Sequence, residues 1–219
     1  MRVDVISDFV CPWCYVGKRR LERVLERNGD LQPVVNWRAF QLNSGIPPGG
    51  VDRALYLARK FGDSTRIAKM QGHVEAVGRE LGISFALERI ERVPNSLNAH
   101  RLVRWASGLG GDSGELVEML FRSYFEEGLD IGELRVLCEV AQAAGLSRVE
   151  ARRFLLSDAE RAPLMAEDRE MKRSGIQGVP CFIFEGRYAL SGAQPAEAFD
   201  PILDIIRQGS PAPAIPSAL

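Results

Sequence analysis

The chain opens with a short alternating run, Val3-Asp4-Val5-Ile6-Ser7, whose β-branched residues carry the period of a strand. The period then lengthens. Tyr15, Val16, Leu21, Val24 and Leu25 fall on one side of a helix, with Lys18, Arg19, Arg20 and Glu22 on the side expected to face water. Pro12 suits the first helical position, where a missing N–H costs nothing, and Asn28-Gly29-Asp30 is a stop signal. Residues 33–42, PVVNWRAFQL, read as a second strand. The resulting β-α-β unit has a crossover that is almost always right-handed.

From about Val51 to Gly175 only helical periods recur. Residues 66–82 set Ile67, Met70, Val74, Val77 and Leu81 on one stripe, and residues 95–110 begin at an Asn95 or Ser96 cap. Further helices read in residues 114–128, 132–145, 147–158 and 158–175. Strand signals return in residues 181–192 as a hairpin turning at Glu185, Gly186 and Arg187, and residues 194–209 read as a closing helix. The Pro- and Ala-rich tail, residues 210–219, is expected to be extended and loosely held. The order is βαβ, helical block, ββα. It predicts an α/β chain of thioredoxin type, with a large all-helical insertion between strand two and the C-terminal hairpin. On this reading residues 1–44 and 176–209 form the thioredoxin unit and residues 45–175 the insertion.

Composition removes several classes of function. The 219 residues suffice for one domain carrying an insertion. With 28 basic and 29 acidic residues the net charge is -1, which predicts no sequence-independent grip on nucleic acid or an anionic membrane. No apolar run approaches the roughly 18 residues of a membrane-spanning helix. The start, MRVDVIS, lacks the apolar segment of a secretory signal, so a cytoplasmic location is expected. Four cysteines are then too few for a disulfide scaffold and are expected to be chemical or buried.

Two of them, Cys11 and Cys14, stand two residues apart at the start of the first helix. Beside a βαβ pattern this spacing reads as a redox pair. A helix start presents free N–H groups and the positive end of the dipole, so a thiolate is favoured there. Cys11 at the helix mouth is therefore the attacking thiol and Cys14, one turn inside, the resolving one. Half of a zinc site is the competing reading. It would need two more ligands from Cys138, Cys181, His73 or His100, and none of these forms a second close pair. No metal is expected.

Three segments, DFVCPWCYVGKRRLE, PNSLNAHRLVRWA and GVPCFIFEGRYALSGAQP, resemble the DsbA-like thiol oxidoreductases of the FrnE group. That group is similar in turn to 2-hydroxychromene-2-carboxylate isomerases and kappa-class glutathione transferases. The resemblance implies a thioredoxin fold, a redox-active Cys11/Cys14 pair, and a cis Pro180 facing it. The Val179 backbone would pair with an extended cysteine-containing substrate. The isomerase and transferase relatives use a serine in place of Cys11, so two cysteines here favour thiol–disulfide exchange. A glutathione-dependent isomerase or transferase acting on an aromatic or polyketide-like compound is the alternative, and a non-enzymatic chaperone module is a third class. No cofactor is required. Partners would be cysteine-containing proteins or small thiols, recycled by glutathione or a thioredoxin-like system, with the chain a monomer or homodimer. Ser191 and Gly192 offer a hydroxyl and N–H groups to a glutathione carboxylate.

The remaining candidates each carry two readings. Trp13 is a platform for substrate or a space filler. Asp8 handles the proton of Cys14 or closes a turn. Lys18 biases the thiolate or is a solvated surface lysine. Cys138 reads as a small buried hydrophobe; Cys181 is a third thiol or a strand core residue. Asn95 and His100 lie in the helix that the resemblance packs over the active-site face, His100 being a substrate contact or a hydrogen-bonded structural histidine. His73 is expected half-exposed, and Arg38 and Gln41 end the second strand.

Overall fold

The computed structural model describes residues 1–110 and 113–209. The tail expected to be extended, residues 210–219, lies outside the described residues. Strand β1 (Arg2–Ser7) leads into helix α1 (Pro12–Arg27) and returns as β2 (Val34–Ala39). A helical block follows: α2 (Arg53–Phe61), α3 (Ser64–Glu80), α4 (Leu97–Gly108), α5 (Gly114–Phe125), α6 (Leu134–Ala143), α7 (Arg148–Leu156) and α8 (Arg161–Arg173). A two-residue antiparallel ladder within the block, β3 (Val51–Asp52) with β4 (Arg92–Val93), is too short to leave a period in the sequence. The hairpin β5 (Cys181–Phe184) and β6 (Tyr188–Ser191) then precedes α9 (Asp200–Arg207).

The main sheet has the order β2-β1-β5-β6. β1 is parallel to β2, Val3 opposite Val35, and antiparallel to β5, Val3 opposite Phe184. Alternation sorts the side chains onto two faces. Val3, Val5, Phe182 and Phe184 pack with Leu21 and Val24 of α1 and with Phe199 and Leu203. Ile6 and Cys181 point the other way, onto Phe40, Met171 and Ile176. Each fully buried Leu or Phe contributes about 1.5–3 kcal/mol.

The largest core joins the first turns of α1 to the helical block. Phe9, Cys11, Cys14, Tyr15 and Val16 share one apolar cluster with residues of α3 to α7. Tyr15 stacks on Phe121 with ring centroids 5.2 Å apart. Arg101 of α4 is fully buried, and its guanidinium donates to the carbonyls of Leu155 (3.2 Å), Ser157 (2.6 Å) and Ala159 (2.9 Å). Those are carbonyls at and beyond the end of α7 that helix geometry leaves unpaired.

Three expectations need correction. Lys18 is not on a wet face: it is 2% exposed and paired with Glu22 at 2.5 Å and with Glu118 of α5 at 2.6 Å. The closing helix is not continuous, because Pro201 supplies no N–H to an i−4 carbonyl; a 3-10 turn, Ala196–Ala198, precedes α9. His73 is exposed rather than half-buried.

Candidate active site

Cys11 is the residue that caps α1, with extended φ −100° and ψ 111°, and Pro12 follows in the first turn. Its N–H donates to the Asp8 carbonyl at 3.1 Å, and the Cys14 N–H donates back to the Cys11 carbonyl at 3.0 Å. This tight turn sets the two thiols on the first turn of one helix. Both are free and buried, Cys11 at 6% exposure and Cys14 at 2%. Cys11 Sγ lies 3.6 Å from the Val179 carbonyl oxygen, which it reaches as a thiol donor. The Val179–Pro180 peptide bond is cis.

Gly17 makes this approach possible. A Cβ there would stand 2.8 Å from Pro180 Cγ and 3.1 Å from Phe182 Cζ, so no side chain fits between α1 and the loop entering β5. The sequence reading passed over Gly17, since glycine within a helical pattern signals no partner; its position one turn beyond Cys14 was the available hint.

The environment of Cys14 differs from that of Cys11. Burial pushes its thiol well above the ordinary cysteine range, with the neighbouring Cys11 adding to the effect. The Asp8 backbone N–H donates to its sulfur at 3.5 Å, and this contact and the Ser7 hydroxyl oppose the rise without cancelling it. Cys14 is therefore held as a thiol. Asp8 is 1% exposed, and its carboxylate accepts from the Leu42 N–H at 2.7 Å and the Val10 N–H at 3.4 Å. The turn-closing reading of Asp8 describes these contacts.

Trp13 is half-buried on the rim, its ring 5.4 Å from that of His73 of α3. Pro180 is buried and Val179 half-buried. His100 is 6% exposed and faces Asp8 across 3.7 Å. Asn95 has its amide engaged: Oδ1 accepts from the Leu97 N–H and from Gln41 Nε2, both at 3.0 Å, and Nδ2 donates to the Ile46 carbonyl at 2.6 Å. It starts α4 and ties it to the loop after β2. The Ser96 side chain, the other cap candidate, makes no capping bond.

At the far end of the hairpin the reading of Gly192 is corrected. Its N–H donates to the Pro180 carbonyl at 2.8 Å and is not open to a carboxylate. Ser191 is exposed, and its hydroxyl lies 3.9 Å from Cys181 Sγ. Cys181 is 3% exposed in the cluster with Ile6 and Phe40, on the sheet face opposite Phe182. Cys138, 2% exposed, packs in the helical core. Arg38 pairs with Glu167, and Gln41 is buried with its N–H on Asp168 Oδ1 at 2.7 Å.

Among the described residues no group of three or more His, Cys, Asp or Glu side chains could hold a metal ion. No described helix is long and apolar enough to cross a membrane.

Comparison with known proteins places this geometry. A probable DsbA oxidoreductase from Streptomyces coelicolor shares 31% identity and a TM-score of 0.84, over 98% of this chain and 93% of that one. The cytosolic disulfide reductase DsbM from Pseudomonas aeruginosa, solved with GSH, shares the fold at a TM-score of 0.65 and 23% identity, over 94% of this chain and all of that one (100%). The uncharacterized protein YwbO of Bacillus subtilis is 25% identical over 206 residues, 91% of this chain and 94% of its own length. The family model of the DSBA-like thioredoxin domain matches residues 2–204. The chain belongs to the DSBA-like thioredoxin domain family.

Proposed function

We propose that this protein is a thiol–disulfide oxidoreductase that works by mixed-disulfide exchange through Cys11 and Cys14, on protein or low-molecular-weight thiols. One observation carries the reading: two free thiols on the first turn of α1, the outer one 3.6 Å from the Val179 carbonyl of the loop that crosses in front of it.

The two sulfurs divide the work. As a thiolate, Cys11 attacks one sulfur of a substrate disulfide; a Cys11–substrate S–S bond forms, the substrate S–S bond breaks, and the other substrate sulfur leaves as thiolate. Cys14, kept protonated by burial, does not compete for that attack. It then loses its proton and attacks Cys11 Sγ. The Cys11–Cys14 bond forms, and the substrate sulfur leaves with the electron pair of the broken bond. Run backwards, the same steps oxidise a dithiol. The half-buried Val179 and the Trp13–His73 pair flank the place where an extended substrate would lie.

The reading includes a cytoplasmic setting, with glutathione or a thioredoxin-like protein recycling the pair and no organic cofactor. A glutathione redox titration followed by alkylation and mass spectrometry tests it. The expected outcome is a two-electron transition confined to Cys11 and Cys14, lost in Cys11→Ser, with glutathione trapped on Cys11 in Cys14→Ser. Cys138, buried on α6 within the same apolar cluster, and Cys181, in the separate cluster with Ile6 and Phe40, stay reduced. Steady turnover of a small aromatic substrate with glutathione that survives Cys14→Ser would instead show an isomerase or transferase.

A further inference from the structure

Behind the cysteine pair lies a buried group to which the exchange steps assign no role. His100 comes from α4 in the helical block, is 6% exposed, and among the described residues its Nε2 has no hydrogen-bond partner. That nitrogen stands 3.7 Å from Asp8 Oδ1, and the Phe9 ring, 4.8 Å from the imidazole, packs beside it. A buried polar atom left unpaired costs about 1–3 kcal/mol. If Nε2 is bare, two acceptors confront each other; if it carries a hydrogen, 3.7 Å is too long for a good bond. Uptake of a proton converts the contact into an imidazolium–carboxylate pair and removes the conflict.

The surroundings make His100 the group free to respond. Asp8 joins it to the resolving cysteine: its backbone N–H lies on Cys14 Sγ at 3.5 Å, while its carboxylate faces His100. His100 also lines a cleft of about 1020 Å³ that runs along β2. Most charged groups sharing that cleft are already paired, Lys18 of α1 with Glu22 and with Glu118 of α5, and Arg38 of β2 and Arg104 of α4 with Glu167 of α8, while Glu26 of α1 is exposed to solvent. Arg101, next along α4, is turned onto backbone carbonyls.

We infer that Asp8 and His100 form the buried acid–base pair that receives the proton of Cys14, with His100 the positioning residue that passes it to the water of the cleft. The inference rests on the exchange reading above and concerns its second step. In that step the electron pair of the Cys14 S–H bond becomes the bond to Cys11 Sγ, and the substrate sulfur leaves as thiolate. The released proton goes to the Asp8–His100 pair.

A single-turnover reaction of the reduced protein with one equivalent of dithiobis(nitrobenzoate) separates the steps. The first burst of nitrothiobenzoate reports attack by Cys11; the second reports attack by Cys14, and Cys14→Ser must abolish it. In His100→Gln the first burst is expected to keep its amplitude, as an internal report on folding. Its second phase is expected to slow at least about tenfold near neutral pH and to converge on the parent rate in alkali, where hydroxide takes the proton. A second phase within about twofold of the parent at every pH, or slowed by one constant factor throughout, overturns the inference. Should His100→Gln lose the first burst through misfolding, the parent's own profile decides: the second phase must follow two ionisations, and a single one overturns the proposal. Absence of the first burst in the parent protein would sink the exchange reading itself.

Discussion

At the scale of single residues, the contrast between Cys11 and Cys14 comes from one turn of helix. Burial holds the Cys14 thiol well above its ordinary range, and that shift is also a statement about stability. The unfolded chain releases this proton near pH 8.5, while the folded chain keeps it to higher pH, so above that point the folded state binds more protons. Stability conferred by the protonated Cys14 is therefore complete below the unfolded thiol value and is lost as pH rises toward the folded one. Tyr15, also pushed upward by burial and by its hydrogen bonds to Glu126 and Glu118, extends the same loss to more alkaline pH. Urea unfolding of the reduced protein is expected to show a midpoint that falls as pH rises through the thiol range. In Cys14→Ala that fall should shrink, and an unchanged slope would contradict the assignment. Asp8 and Lys18 show how little of this is visible one residue at a time. Both look like ordinary polar positions in the sequence, yet they are 1% and 2% exposed, because what covers them comes from far along the chain.

Elements meet through a small number of such distant partners. Glu118 of α5 accepts from Lys18 at 2.6 Å, Arg19 at 2.5 Å and the Tyr15 hydroxyl at 2.7 Å, so one carboxylate holds three polar side chains from neighbouring turns of α1. Burial alone would raise this carboxyl, but the hydrogen bond and charge of Lys18, with Tyr15 and Arg19, outweigh it and hold it below the usual range. Glu118→Gln is expected to destabilise by about 2–3 kcal/mol, because Lys18, 3% exposed along its side chain, keeps only the half-exposed Glu22. The sign with pH follows. Stability from an ionised Glu118 is present above the unfolded carboxyl value, about 4.3, and is lost as pH falls through the lower folded value. A stability difference between parent and Glu118→Gln that persists unchanged into strong acid would refute the attribution. Periodicity exposed the helices on either side of this contact, since a stripe such as Leu21, Val24 and Leu25 of α1 is written within one segment. The contact itself spans |i−j| = 100 and leaves no trace in either segment. Pro201 is the reverse case: its effect on the closing helix is local and could have been read from the sequence, but the apolar stripe of Ile202, Leu203 and Ile206 masked it.

Taken whole, the molecule was legible in its order and not in its joints. The βαβ–helices–ββα sequence of signals gave the thioredoxin arrangement, and two cysteines at a helix start marked the candidate site, because both are encoded in spacing along the chain. The close fit of Gly17 under Pro180 and the face of α4 that carries His100 toward Asp8 are products of packing between segments more than 90 residues apart, |i−j| = 163 and 92 from the residue numbers. They follow only once the fold is known. Packing also changes how the insertion should be viewed. Cys11, Cys14, Tyr15 and Val16 share an apolar cluster with Leu102, Leu120, Phe121 and Leu137 of the helical block, whereas Leu21 and Val24 of the same helix belong to the cluster under the sheet. Helix α1 thus runs from one core into the other, and the end that carries Cys11 and Cys14 lies in the core of the inserted helices. If so, the turn that carries the thiols cannot open without disturbing α4 and α5. Native-state hydrogen exchange should find the amides of residues 14–18 opening with the same denaturant dependence as those at the centre of α5, through one cooperative event. Exchange of residues 14–18 through a separate opening of lower free energy, with α5 still protected, would show that the thioredoxin unit holds its active-site helix without the helical block.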